Sequence, residues 1–251
     1  MANKQLSIRI LTIFPDMFSA LLEWGVISRS VENGILEILP LDLRDFTDDK
    51  HRTTDDYPYG GGSGLVMKAP PFFRAYESIT KQGIKPHVVF TTPKGKLFDN
   101  DKARELAEKD DLLFLCGRYE GVDERVMTIV DEELSIGDFV LSGGELATMV
   151  MIDALARFIP GVVGDIQSVK KDSFYNEVLD HSHYTRPRET NNLKVPDVLL
   201  SGNHKKIELC RRKESLLKTI MRRPDLFMKH ELDEVDKKAL IEIIKENVKD
   251  V

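Results

Sequence analysis

The chain has 251 residues, enough to bury the cores of one or two domains. No apolar run approaches the roughly 20 residues that a membrane-spanning helix needs, and the N-terminal residues lack the layout of a signal peptide. A formal net charge of −6 argues against a protein that coats nucleic acid indiscriminately. Cys116 and Cys210 are the only cysteines, too few for a disulfide framework, so we expect a cytoplasmic protein.

The first two thirds of the sequence alternate between strand-like and helix-like segments. Hydrophobic segments bounded by proline or glycine predict strands at 6–14, 35–40, 88–91 and 112–116. Helical patterns predict helices at 16–30, 100–109, 122–130 and 144–158. Residues 42–64 are polar and rich in glycine, which predicts a loop. This alternation indicates an α/β fold with a mainly parallel sheet that is covered on both faces.

The last third has a different character. Residues 162–174 carry small, polar and charged side chains without a clear period, which is typical of a linker. No good strand is visible beyond them, and helices are predicted at 203–220, 224–230 and 233–248. We therefore expect a catalytic α/β domain at 1–161, a linker at 162–174 and a small, mostly helical domain at 175–251.

A basic cluster lies in the helical part of the chain. Residues 205–229 contain nine Lys and Arg against three acidic residues. The cluster is either a solvated helix face or a surface for RNA phosphates, and charge alone leaves both interpretations open. The candidate RNA-binding residues from this cluster are Arg211, Arg212, Arg222 and Arg223.

Four glycine-rich loops are candidate ligand sites. The richest, at 59–64, matches neither the phosphate-binding P-loop nor the dinucleotide-binding spacing, so a tight turn is an equally good interpretation. The other three lie at 91–95, 117–121 and 136–145, where predicted strands end. Ligands of open α/β sheets gather at that edge, so we expect a small-molecule pocket there. Few Lys or Arg accompany these glycines, which argues against a polyphosphate ligand.

Several motifs together point to one family. The chain contains CGRYEGVDER at 116–125, SIGDFVLSGGE at 135–145, RFIPG at 157–161 and HYTRP at 183–187. In this order and spacing they resemble the bacterial tRNA (guanine-N1)-methyltransferases of the SPOUT superfamily. TIFPDMF at 12–18, YPYGGG at 57–62 and RRPDL at 222–226 fit the same pattern, so the resemblance covers nearly the whole chain.

The resemblance implies a fold, an assembly and a cofactor. Members are homodimers whose α/β domain ends in a trefoil knot, and the knot loops bind S-adenosylmethionine. The residues of this chain that match those loops are Thr92, Pro93, Gly117, Tyr119, Glu120, Gly121, Ile136, Gly137, Leu141, Gly143 and Gly144. Thr92 stands where serine is expected, and it still offers a hydroxyl group.

The resemblance also implies the reaction. Members methylate N1 of the guanosine immediately 3′ of the anticodon, position 37 of tRNA. By this match Asp172 is the general base and Arg157 helps to position the guanine, whereas sequence alone makes Asp172 an N-cap or a linker charge. A loop with Asp49, His51 and Arg52 matches part of the family's tRNA site. The resemblance also suggests Mg²⁺ as a second cofactor. The sequence shows no set of protein ligands for this ion.

Two other features have simpler interpretations. His181 and His183 form an H-x-H pair, but no cluster of Cys, Asp or Glu with ligand spacing is recognised around it. Hydrogen bonding or RNA contact is therefore favoured, and no protein metal site is expected. Cys116 ends a hydrophobic strand and is interpreted as a buried core thiol.

The sequence disfavours two competing functions. A related methyltransferase acting on ribose or on ribosomal RNA is disfavoured because Asp172 and Arg157 both match. A non-catalytic RNA-binding module is disfavoured because the glycine loops are intact.

Overall fold

The computed structural model describes residues 5–164, 169–170 and 172–248, with side chains up to residue 246. The chain divides into two compact units, residues 1–166 and residues 167–251, here called the first and second units. The division falls inside the range 162–174 expected to be a linker, of which residues 165–168 and 171 lie outside the described residues. Among the described residues, no helix is both long and apolar enough to cross a membrane.

The strands are β1 (Leu6–Thr12), β2 (Leu36–Asp42), β3 (Asp55–Asp56), β4 (Val66–Met67), β5 (His87–Leu97), β6 (Asp111–Cys116), β7 (Glu132–Ser135), β8 (Glu189–Thr190) and β9 (Leu193–Lys194). The α-helices are α1 (Ser19–Glu23), α2 (Gly25–Glu32), α3 (Ala69–Thr80), α4 (Asn100–Ala107), α5 (Gly144–Ala156), α6 (Asp197–Leu200), α7 (His204–Arg222), α8 (Pro224–Phe227) and α9 (Glu234–Val248). Short 3-10 helices cover Pro15–Phe18, Leu43–Phe46 and Glu124–Ile129.

The first unit is built on a five-stranded sheet in the order β2-β1-β6-β5-β7. All of its strand pairs are parallel, which confirms the predicted parallel sheet. Alternate residues of β6 enter two cores: Leu112 and Phe114 pack with α4 and α5, whereas Leu113 and Leu115 pack with α3. Both faces of the sheet are therefore covered, as its hydrophobic strands require.

Several elements differ from the sequence-based expectations. Strand β5 continues to Leu97 through a register shift between Thr91 and Lys96. Residues 122–130 do not form an α-helix, because the helical turns there are 3-10 and span only 124–129. The expectation of no strand after the linker was wrong, since β8 and β9 form a hairpin. Its turn residues, Asn191 and Asn192, both have positive φ, which asparagine tolerates and two-residue hairpins need.

The second unit packs around its long helices. Val178, Leu216 and Ala239 form its buried core, and Leu209, Phe227 and Leu240 pack against them. Helix α7 begins at a side-chain cap, because the Asn203 carboxamide oxygen accepts from the Lys206 backbone N–H at 3.1 Å. The helices expected from 203, 224 and 233 are confirmed within one residue of their predicted starts.

Candidate active site

A cavity of about 480 Å³ lies at the C-terminal edge of the sheet in the first unit. Its wall consists of the irregular part of β5 and the segments that follow β6 and β7. Every residue matched to the cofactor loops lines it: Thr92, Pro93, Gly117, Tyr119, Glu120, Gly121, Ile136, Gly137, Leu141, Gly143 and Gly144. Strand-end glycines therefore do meet at one place, as the parallel sheet predicts.

The loop before α5 packs closely on the loop after β6. The Gly144 N–H donates to the Gly117 carbonyl oxygen at 2.9 Å, and Gly143 forms an isolated bridge with Arg118. A Cβ atom on Gly144 would lie 2.2 Å from the Thr91 hydroxyl oxygen and 3.0 Å from the Cα of Cys116. Glycine is thus required at 144 by contact between protein segments, not only by a ligand's approach.

A buried ion pair supports the same wall. The Glu145 side chain is fully buried in the first turn of α5, where the helix N-terminus favours a carboxylate. It accepts from the Thr12 hydroxyl at 2.8 Å and from Nε of Arg118 at 3.0 Å. The Arg118 guanidinium also lies over the Phe14 ring, 4.5 Å from its centroid. Sequence reasoning missed this cluster, although all four residues stand inside the quoted motifs.

The segment after the glycine-rich loop at 59–64 pairs with the loop after β6. The Glu120 N–H donates to Leu65 at 3.1 Å, and Met67 exchanges backbone hydrogen bonds with Gly121 and Asp123, each 2.9 Å long. Gly60, Gly61, Gly62 and Gly64 all have positive φ, which supports the tight-turn interpretation of this loop.

Among the described residues, the cavity lining is not cationic. Lys94 and Arg118 are its basic lining residues, against Glu120, Glu124 and Glu133, and Arg118 is already paired with Glu145. A polyphosphate would lack the clustered positive charge that it needs.

Two ionisable groups of this region are held neutral. Burial raises the pKa of the Tyr119 hydroxyl, and its hydrogen bond to Asp55 raises it further. Cys116 is fully buried and its pKa is raised by that burial, although the thiol lies 3.3 Å from the Thr148 hydroxyl. The interpretation of Cys116 as a core thiol is therefore confirmed.

The two expected catalytic residues belong to different units. Arg157 directly follows α5 in the first unit and is half-buried. Asp172 lies in the second unit, also half-buried, in a turn where its N–H donates to Val169 and its carbonyl accepts from Tyr175. Their catalytic roles stay predictions.

The loop matched to the family's tRNA site has an internal explanation. The exposed Asp49 carboxylate accepts from the backbone N–H groups of His51 at 2.9 Å and Thr53 at 3.0 Å. The hydrogen bond from Thr53 lowers the pKa of Asp49 most, so this carboxylate stabilises the turn. Arg52, with φ 55°, is paired with Asp45. Asp49, His51 and Arg52 are all exposed, and this exposure is the one feature that favours contact with RNA.

The structure divides the basic cluster into paired and unpaired residues. Arg212 is paired with the fully buried Asp236 and lies 3.2 Å from His230, which gives it a structural role. Arg223 forms an exposed pair with Asp225 at 2.6 Å. By contrast, some cluster residues are exposed and form no ion pair with the described residues: Lys205, Lys206, Arg211, Arg222 and Lys229.

Comparisons with known proteins agree on one family. Residues 6–229 match the family model described as tRNA (Guanine-1)-methyltransferase TrmD. The chain is 59% identical to the tRNA (guanine-N(1)-)-methyltransferase of Thermosipho africanus, over 98% of this chain and 100% of the relative. It is 57% identical to that of Thermotoga maritima, over 95% and 97% of the two chains.

A solved structure gives the same result. The crystal structure of the tRNA (m1G37) methyltransferase from Aquifex aeolicus matches with a TM-score of 0.74 and 41% sequence identity, covering 90% of this chain and 96% of that one. The chain therefore belongs to the tRNA (guanine-1)-methyltransferase family, and it is an enzyme of the transferase class.

Proposed function

We propose that this enzyme transfers a methyl group from S-adenosylmethionine to N1 of the guanosine immediately 3′ of the anticodon, position 37, in tRNA. The observation that carries the proposal is the single cavity lined by all eleven residues matched to the cofactor loops. The names of its relatives support the guanine N1 target, and the Aquifex aeolicus relative is described as acting at m1G37.

The described residues of the cavity fit S-adenosylmethionine. The cavity volume of about 480 Å³ is within the range of small-molecule sites. The sulfonium is a cation, so Glu120, Glu124 and Glu133 among the lining residues favour it, whereas they would repel a polyphosphate. When bound, the cofactor supplies an electrophilic methyl group.

In the proposed reaction, the protein removes a proton from the guanine base and stabilises the negative charge that develops on it. Guanine N1 carries a proton at neutral pH, so we propose that the Asp172 carboxylate accepts it as N1 attacks. Negative charge then develops on O6 of the base, and the always-charged Arg157 guanidinium would stabilise it. Since the nucleophile is a nitrogen of the substrate, the neutral, buried Cys116 has no part in the transfer.

The proposed assembly is a homodimer with a trefoil knot of the SPOUT type. The hydrogen bond from Gly144 to Gly117 brings the chain after β7 back against the loop after β6, as a knotted path requires. Helix α5 is mostly buried, yet Leu146 and Val150, four residues apart, are 47% and 51% exposed. A second copy of the chain would cover this apolar stripe.

The remaining expectations concern tRNA, Mg²⁺ and location. We propose that Arg211 and Arg222 contact tRNA phosphates, because both are exposed and unpaired with the described residues. Within the described residues, no group of three or more carboxylate or imidazole ligands converges at the cavity, so substrate and water would supply most ligands to Mg²⁺. Cytoplasmic location stays a prediction.

The reaction is tested by incubating the protein with methyl-labelled S-adenosylmethionine and bulk tRNA, followed by nucleoside analysis. We expect the label in 1-methylguanosine. Label in 2′-O-methylated nucleosides would instead indicate a ribose methyltransferase. No transfer, with no heat on calorimetric titration of the cofactor, would indicate an RNA-binding module.

A further inference from the structure

Three potential metal ligands converge in the second unit, at residues to which the proposed function assigns no role. Nitrogen atoms of His181 and His183 and a carboxylate oxygen of Asp180 all lie within 4.8 Å of one another. The Nε2 of His183 is 2.8 Å from Asp180 Oδ2, and the two imidazole rings are 4.5 Å apart between centroids. The H-x-H pair therefore does have a carboxylate partner, Asp180, contrary to the expectation from sequence.

The backbone of this segment is held in place by α7. The Leu179 N–H donates to the Thr219 hydroxyl at 2.9 Å, and the Leu179 carbonyl accepts from the Ser215 hydroxyl at 2.5 Å. The Asp180 N–H donates to the Ser173 hydroxyl at 2.9 Å. The N–H and carbonyl groups of Leu179 and the N–H of Asp180 are therefore all hydrogen-bonded. These bonds hold the backbone that carries the three ligands in one position.

Short-range contacts orient two of the ligands. The Asp180 carboxylate accepts from the His181 backbone N–H at 2.7 Å. Nδ1 of His181 lies 3.1 Å from the Ser182 carbonyl oxygen, to which it can donate. The same nitrogen lies 3.9 Å from Asp180 Oδ1, which places the His181 ring beside the carboxylate.

The surroundings are close to neutral. Lys218 donates to the Ser182 hydroxyl at 2.8 Å, but its charge is offset by Glu214 at 3.1 Å. Ligand atoms around a tetrahedral zinc ion lie roughly 3.4 Å apart, since zinc–ligand bonds are about 2.0–2.2 Å long. The His183 side chain is 71% exposed, and its Nε2 lies 2.8 Å from Asp180 Oδ2, so these two ligands would move slightly apart to admit the ion.

We propose that Asp180, His181 and His183 bind one divalent transition metal ion of the zinc class. Two imidazoles and one carboxylate suit zinc, cobalt or nickel better than magnesium, which prefers oxygen ligands. Three protein ligands leave one coordination position for water. None of the three ligands is assigned a role in the proposed methyl transfer.

The test is calorimetric titration of the chelator-treated, full-length protein with Zn²⁺, repeated with Co²⁺ by visible absorption. We expect one ion per chain, and at least a tenfold loss of affinity in each of Asp180→Asn, His181→Asn and His183→Asn. His183→Asn is the most informative variant, because an exposed side chain is not needed for folding.

Two matched controls separate this site from other surface ligands. His204→Asn removes an exposed histidine at the start of α7, and Cys210→Ser removes a partly exposed thiol. Both should keep wild-type affinity for Zn²⁺. Equal affinity in His183→Asn and the wild type, or loss of binding in either control, would overturn the proposal and leave the cluster as a hydrogen-bonded histidine pair.

Discussion

Gly144 and Glu145 are adjacent in the chain but hold the cavity wall for opposite reasons. At 144 a side chain is excluded by Thr91 and by the backbone at Cys116. At 145 a carboxylate is required, because it completes the hydrogen bonds of Thr12 and Arg118 in a place without solvent. In the motif SGGE, position 144 therefore requires glycine because there is no space for a side chain, and position 145 requires a carboxylate because of its hydrogen-bond partners.

Gly144→Val should weaken the binding of S-adenosylmethionine by roughly ten- to hundredfold, since forcing a branched side chain into a packed wall typically costs 1–3 kcal/mol. Calorimetric titration of the cofactor measures the change. Gly164→Val is the matched control, because a Cβ there meets nothing within 4 Å. Wild-type affinity in Gly144→Val would mean that the loop is not part of the cofactor site.

Asp172→Asn should lower the rate of methyl transfer by about 10²–10⁴-fold, because an amide of the same size is a poor acceptor for the N1 proton. Single-turnover kinetics with saturating tRNA measure this, and cofactor affinity should be unchanged. Asp197→Asn, an exposed carboxylate of the same unit, should keep full activity. Near-normal turnover in Asp172→Asn would remove it from the role of base.

At the level of elements, sequence patterns located the strands whose apolar character is continuous. They missed β7, whose sequence EELS is half charged, because Glu132 is satisfied by tertiary partners: His87 at 2.7 Å and Lys102 at 2.9 Å. The position of the cavity could be predicted from the glycines at strand ends. The ion pair that supports the cavity wall could not be predicted, since Arg118 and Glu145 are 27 residues apart and only the folded sheet brings them together.

Helices α7 and α9 are joined by a buried polar cluster. The Asp236 side chain, fully buried, is paired with Arg212 and lies 2.9 Å from Nε2 of His230. Burial raises the pKa of Asp236, but the hydrogen bonds from Arg212 and His230 outweigh it and lower the pKa to about 2. The charged carboxylate therefore stabilises the second unit.

Asp236→Asn should lower the free energy of unfolding at pH 7 by about 2 kcal/mol. Because the folded pKa is depressed, this stability is complete above the usual value of 3.8 and is lost as the pH falls towards 2. Denaturant unfolding at pH 7 and near pH 3 should show the gap between variant and wild type narrowing. Asp225→Asn, which removes an exposed carboxylate paired with Arg223, should change stability little. A gap that is the same at both pH values would contradict the ionic role of Asp236.

At the level of the whole molecule, the cavity lining lies in one unit and the proposed base in the other. We propose that each active site of the dimer combines the loops of one subunit with Asp172 of its partner. Sequence patterns alone could not reach this proposal, because periodicity describes one chain and carries no information about a second copy.

Mixing Asp172→Asn with Gly144→Val tests the shared site. If subunits exchange freely, half of the dimers are hybrids, and each hybrid has one site with both sound loops and a sound Asp172. Activity should then recover to roughly a quarter of the wild type. If every chain completes its own site, each site keeps one lesion, and confirmed exchange without recovered activity would rule out sharing.

The most direct test of the central claim uses two tRNA transcripts that differ only at position 37, guanosine in one and adenosine in the other. Each is incubated with the protein and methyl-labelled S-adenosylmethionine, and the nucleosides are separated. We expect label only in the guanosine transcript, recovered as 1-methylguanosine. Equal label in the adenosine transcript, or label on the ribose of any nucleoside, would contradict it.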